Sequence, residues 1–165
     1  MINADQLRIH VIRPTLEYLD MWSQSAENLL MGTAAVESDM GFYLRQKGCT
    51  GNTGAFGIYQ MELATEKDIH RNYLRFRGGI AEPLSHLGYV DDMDPDFELG
   101  KDLTWNVAYA TAMSRIHYLR VPESLPDADD KMGLAQYWKA HYNTNLGKGT
   151  VEKFLDKYES LVLNI

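Results

Sequence analysis

Between Ala26 and Ser38 the residues Leu29, Leu30, Thr33, Ala34 and Val36 crowd more than one face of a helix. A surface helix carries a single apolar stripe, so this pattern predicts a helix buried on several sides, around which the rest of the chain must pack. Ser25 is positioned to cap its start and Gly41 to end it. The buried helix would then deliver two polar residues, Glu37 and Ser38, at its C-terminal end.

The flanking segments read mainly as further helices. Pro14 fits the first turn of a helix carrying Leu16, Leu19, Met21 and Trp22. Thr65 and Asp68 have the spacing of a capping box for a helix running through Ile69, Tyr73 and Leu74 toward Gly78-Gly79. Residues 80–103 read as a long loop, with the acids Asp91, Asp92, Asp94, Asp96 and Glu98. Thr104 is the expected cap of a helix through Val107, Met113 and Leu119, closed by Pro122. Two more helices are expected, Asp129 to Tyr142 and Thr150 to Leu163. Only the stretch from Gly41 to Gln60, rich in Gly, Asn and Thr, departs from helical patterning. There Phe42-Tyr43-Leu44 would form a small hairpin or irregular strands. The expected fold class is therefore mainly α, a helical bundle around a central helix with a small irregular β-hairpin insert. Its 165 residues suit a single domain spanning 1–165.

Charge and composition remove several function classes. With a formal charge of −7, the chain is not expected to bind nucleic acid through phosphate neutralisation, and it offers no general attraction toward an anionic cell wall. Cys49 is the only cysteine, so an intramolecular disulfide and a cysteine-based zinc site are both ruled out. The five histidines, His10, His70, His86, His117 and His141, lack the spacing of a zinc protease motif. The acids from Asp91 to Glu98 lack the glycine and terminal glutamate of a calcium loop. No metal and no cofactor is expected. The N-terminus has no signal peptide pattern, and no stretch reaches the roughly 20 apolar residues of a membrane helix. The expectation is delivery to an outside target by some other component, without membrane insertion.

Glu37 is set apart by its place, a buried helix end with a glycine-rich segment downstream. A carboxylic acid at the end of a buried helix is poorly solvated when charged, so its pKa rises and it can remain a proton donor near neutral pH. Gly54-Ala55-Phe56-Gly57-Ile58-Tyr59-Gln60 supplies a backbone of little bulk that can approach a flat sugar ring, and an amide able to donate and accept. Its glycines do not match the dinucleotide fingerprint.

Glu37-Ser38, Gly54 to Gln60, Asn106 and Tyr142-Asn143, taken in order, resemble the motifs of soluble-lytic-transglycosylase domains in the lysozyme superfamily. The resemblance covers about residues 25 to 160. It implies a lysozyme-like α+β fold and cleavage of peptidoglycan glycan strands between N-acetylmuramic acid and N-acetylglucosamine. It also implies Glu37 as catalytic acid and base. Ser38, Ala55, Phe56, Gln60, Tyr142 and Asn143 would bind or frame the sugar. The interval from Glu37 to Gln60 is closer to that of goose-type lysozymes, in which an acid stands where this chain has Glu62. Glu62 would then position water for hydrolysis. Asp39 should point away from the face bearing Glu37.

The family's Ala-Tyr-Asn-Ala-Gly is altered here to His141-Tyr142-Asn143-Thr144-Asn145, with the glycines delayed to Gly147 and Gly149. That tail resembles lysozyme-like domains carried on bacteriophage particles. The likeness implies other virion proteins as partners and leaves a structural protein with reduced activity as the competing class. A transglycosylase needs no second carboxylate, because the 6-hydroxyl of its substrate is the nucleophile, whereas hydrolysis does.

Overall fold

The protein is described from a computed structural model covering residues 1–88, 100–143 and 147–163. Helix α3 (Gln24–Ser38) is its axis. Ala26, Glu27, Ser38 and every residue from Leu29 to Val36 are buried, which leaves this helix almost no solvent face, as its sequence predicts. Ser23, not Ser25, is the cap; its side chain accepts from the Ala26 amide at 3.1 Å, so the helix begins earlier than expected. Small residues let neighbours close in. A Cβ on Gly32 would lie 2.1 Å from Cζ of Phe154, so α9 (Val151–Tyr158) owes its close approach to that glycine. Helices α7 (Val107–Leu119) and α8 (Lys131–Trp138) also pack on α3.

The N-terminal helical stretch starts well before Pro14. It comprises α1 (Ala4–Leu7), a π turn over Arg8–Ile12 and α2 (Arg13–Tyr18). Proline lacks the amide hydrogen and its ring crowds the carbonyl four residues back, so the widened turn just before Pro14 accommodates it within a continuing helix. The helix then stops at Tyr18, leaving Leu19, Met21 and Trp22 beyond its end, contrary to expectation. A buried carboxylate ties this stretch to α3. Glu27 accepts from Arg8 at 2.7 Å, from Arg13 at 2.8 and 2.9 Å and from the Trp22 indole at 2.9 Å. Those donors outweigh its burial and hold its pKa down to about 2.

After α3 the chain turns through Asp39 and Met40, both left-handed, and Gly41. The hairpin is formed by β1 (Ala55–Phe56) and β2 (Met61–Glu62), antiparallel, with Ala55 opposite Glu62 and Phe56 opposite Met61. Phe42-Tyr43-Leu44 contributes no strand; the neighbouring Arg45 makes only an isolated bridge with Phe56. Gly57 begins the tight turn at φ +73°, and a Cβ there would fall 1.8 Å from the Leu103 carbonyl oxygen, so this position admits glycine alone.

Helix α4 (Leu63–Asn72) follows β2 directly, with Glu62 at its cap position, so Thr65 lies inside the first turn and caps nothing. Asp68 instead pairs with Arg120 and accepts from Asn72. After a 3-10 turn at Leu74–Phe76, Gly78-Gly79 opens α5 (Gly78–Ser85), where a helix end was expected. Helix α6 (Lys101–Trp105) precedes α7, whose cap is Asn106 rather than Thr104: its Oδ1 accepts from the Tyr109 amide at 3.0 Å. Asn106 also donates to the Leu87 carbonyl, so a second contact favours it over Thr104. Helices α8 and α9 continue into π turns at Lys139–Asn143 and Glu159–Leu163, and Thr150, the expected start of the last helix, caps α9. The acids Asp91 to Glu98, and Thr144 and Asn145 of the tail motif, lie outside the described residues. Among the described residues no helix is long and apolar enough to cross a membrane. The architecture is a mainly helical bundle with one small hairpin.

Candidate active site

Glu37 occupies the last turn of α3, where the buried helix reaches an open cleft of about 610 Å³. The Trp138 indole, from the end of α8, donates to Glu37 Oε1 at 3.0 Å. Burial pushes the carboxyl pKa up to about 7, while the Trp138 hydrogen bond and the positive charge of Lys153 pull the other way. The acid is thus proton-bearing in mildly acidic to neutral water, yet one side of it faces the cleft.

Trp138 is held from behind. Its ring lies 5.5 Å from Phe154, which fills the space over Gly32 and stacks on Tyr158 at 5.9 Å. The same small residue that seats α9 on α3 therefore also supports the hydrogen bond on Glu37. Trp138 was not legible as a site residue, because a tryptophan in an apolar helix is usually core. The available signal was its position one helical turn before Tyr142.

Six of the expected residues line the cleft: Glu37, Ala55, Gln60, Glu62, Tyr142 and Asn143. Gln60 sits at φ 48° in the hairpin turn and donates from Nε2 to the Gly57 carbonyl at 2.8 Å, which leaves its amide oxygen available. Glu62 is exposed on β2. Tyr142 gives its proton to the Tyr59 carbonyl at 2.9 Å, so the 3.2 Å contact with Ser114 is donated by the serine. Its hydroxyl is spent on fastening the hairpin turn to the helices. Asn143 accepts from Lys139 Nζ at 2.8 Å. It also explains the delayed glycines: a Cβ on Gly147 would lie 2.2 Å from the Asn143 carbonyl oxygen, and one on Gly149 would lie 2.5 Å from the Trp138 ring and 2.9 Å from Asn143 Nδ2.

Ser38 and Phe56 do not line the cleft. Ser38 is fully buried; its hydroxyl donates to the Ile58 carbonyl at 2.6 Å and accepts from the Gly41 amide at 2.8 Å, stitching the end of α3 to the hairpin turn. Phe56 is buried beneath the Arg45 guanidinium, 3.8 Å from its ring centre. Both residues hold the hairpin in place and neither reaches the cleft. Asp39 pairs with Lys157 at 2.6 Å and is also absent from the lining, in keeping with its expected direction.

Among the further cleft residues that sequence reasoning missed are His117, Lys148 and Lys153. Burial pushes the His117 pKa down to about 4, so the ring is neutral near pH 7. Nε2 meets the His141 carbonyl at 2.9 Å and Nδ1 meets Arg120 at 3.0 Å, so the ring hydrogen sits on Nε2 and both nitrogens are used internally. His117 packs edge-on against Tyr142, 5.0 Å between ring centres, as a fixed wall. Among the described residues no group of three or more His, Cys, Asp or Glu is placed to hold a metal ion. No protein-family model matches the chain, and neither a curated protein nor a solved structure matches it.

Proposed function

We propose that this protein cleaves the glycan strand of peptidoglycan between N-acetylmuramic acid and N-acetylglucosamine as a lytic transglycosylase, with Glu37 as the sole acid and base. The observation that carries the proposal is the state of Glu37: a carboxylic acid on the wall of a cleft of about 610 Å³, kept protonated up to about pH 7 by burial and oriented by the Trp138 indole. Glu37 gives its proton to the bridging oxygen as the bond to the anomeric carbon breaks. The substrate's 6-hydroxyl then bonds to that carbon and returns its proton to Glu37, so no water is consumed. Gln60 and Asn143 line the cleft and would position the sugars, and the order of the motifs supports the same assignment.

A second reading has its own support, since Glu62 lines the same cleft and would hold an attacking water for hydrolysis. The test is loss of turbidity of purified peptidoglycan, with circular dichroism as the fold control. Glu37→Gln keeps the shape but has no proton to give, and is expected to reduce the rate at least about 100-fold. A near wild-type rate would remove Glu37 from the mechanism. Absence of clearing by the wild-type protein would favour a particle component without activity.

A further inference from the structure

The overall charge of −7 should repel an acidic polymer, yet the cleft carries local positive charge. On the α8–α9 side of the molecule, Lys131 pairs with Glu159, Lys157 pairs with Asp39, and Lys139 holds Asn143 and the Gly147 carbonyl. The ammonium groups of Lys148 and Lys153 make no hydrogen bond or ion pair among the described residues, and both side chains line the cleft, where the charge of Lys153 also acts on Glu37. Lys153 stands in the first turn of α9, where the helix dipole disfavours a cation, so local helix stability gives no reason for a lysine there. Lys148 lies on the segment Gly147–Gly149, whose close packing against Asn143 and Trp138 keeps it at the cleft edge.

We infer that Lys148 and Lys153 form a carboxylate-binding subsite on the cleft wall, which selects an acidic glycan and fixes the direction in which it lies. The inference rests on the cleft being a glycan site. Glu62, on the hairpin, sets the opposite sign of charge in the same cleft. A muramic acid whose carboxyl is free, not amide-linked to a peptide, is therefore drawn to the lysines and kept from the hairpin, and a peptide-free strand in which acidic and neutral sugars alternate has one preferred register.

The test uses the Glu37→Gln protein, so that ligands stay intact, in isothermal titration with three oligosaccharides of equal length. One is a neutral N-acetylglucosamine oligomer. The second alternates N-acetylglucosamine with N-acetylmuramic acid bearing free carboxylates, and the third is that oligomer with its carboxylates amidated. The acidic oligomer should bind tightest, with an affinity that falls as salt rises. Adding Lys148→Gln and Lys153→Gln together should weaken it about tenfold, a loss scaled to two exposed ion pairs, while changing the neutral and amidated ligands less than about twofold. Lys→Arg at both positions should restore the acidic preference, which a merely structural role would not predict. Equal binding of acidic and amidated oligomers, unaffected by the lysines, would overturn the subsite while leaving the glycan cleft standing. Failure of all three to bind would sink both.

Discussion

Glu37 and Trp138 allow protonation to be separated from packing at the scale of single residues. Trp138→Phe keeps an aromatic ring against Phe154 but removes the donor that stabilises the Glu37 carboxylate. The carboxyl pKa should then rise further, moving the alkaline limb of the rate profile to higher pH as it lowers the maximal rate. An unshifted limb would mean that the indole does not govern the acid. Glu37 also makes a stability prediction. Its pKa is raised from 4.5 to about 7 in the folded protein, so the stability linked to its bound proton is complete below about pH 4.5 and is lost as pH rises through about 7. Glu37→Gln removes that loss, on the order of 3 kcal/mol for a shift of this size. The variant should therefore melt higher than wild type at about pH 8 and less differently at about pH 4. Equal differences at the two pH values would contradict the raised pKa.

At the scale of elements, the contact of α3 with α9 carries the site. Gly32→Ala places a Cβ 2.1 Å from Phe154, which must move away together with α9 and the support behind Trp138. A cost of about 1–3 kcal/mol is expected, with a loss of activity larger than that destabilisation alone explains. Unchanged melting would show that the ring relocates freely. This element was the most legible in the sequence, because apolar residues crowding more than one face of a helix draw it into the interior. Its exact start was less so. Ser23 and Ser25 compete for one cap, as Thr104 and Asn106 do for another, and contacts distant in sequence, such as that of Asn106 with Leu87, help decide between them. Gly78-Gly79 reads equally as a stop or as a start for the same reason. Pro14 does stand in the first turn of α2, as its chemistry predicts, whereas the π turn before it breaks the helical period and hides the helical residues ahead of it. Within the site, Glu37 and Gln60 were legible from their setting. Ser38 and Phe56 share the motif but turn inward, because the hairpin needs anchors to the core.

For the molecule as a whole, four buried ionisable groups shape its response to pH. Glu66, buried with its carboxyl accepting from Tyr109 at 3.0 Å, is like Glu37 pushed up to about 7, so both contribute stability that is lost as pH rises from about 4.5 through 7. His117 and Glu27 are depressed, to about 4 and about 2. Their contributions are present above about 6.5 and 4.5 respectively, and are lost as pH falls through the folded values. Stability should accordingly be greatest near about pH 5 and fall on both sides, which a series of thermal melts would show. A maximum at about pH 8 would contradict this balance. Glu27→Ala, which leaves two arginines around an empty site, should cost about 3–5 kcal/mol at neutral pH in denaturant melts. Transglycosylation by Glu37, as proposed, would leave a chemical mark that mass spectrometry of the fragments released from purified peptidoglycan reads without intermediaries. New glycan ends should be 1,6-anhydro sugars, lighter by one water than reducing ends, produced by the wild-type protein and by Glu62→Gln but not by Glu37→Gln. Reducing ends that disappear in Glu62→Gln would make the protein a hydrolase, and fragments released equally by Glu37→Gln would contradict the role of Glu37 altogether.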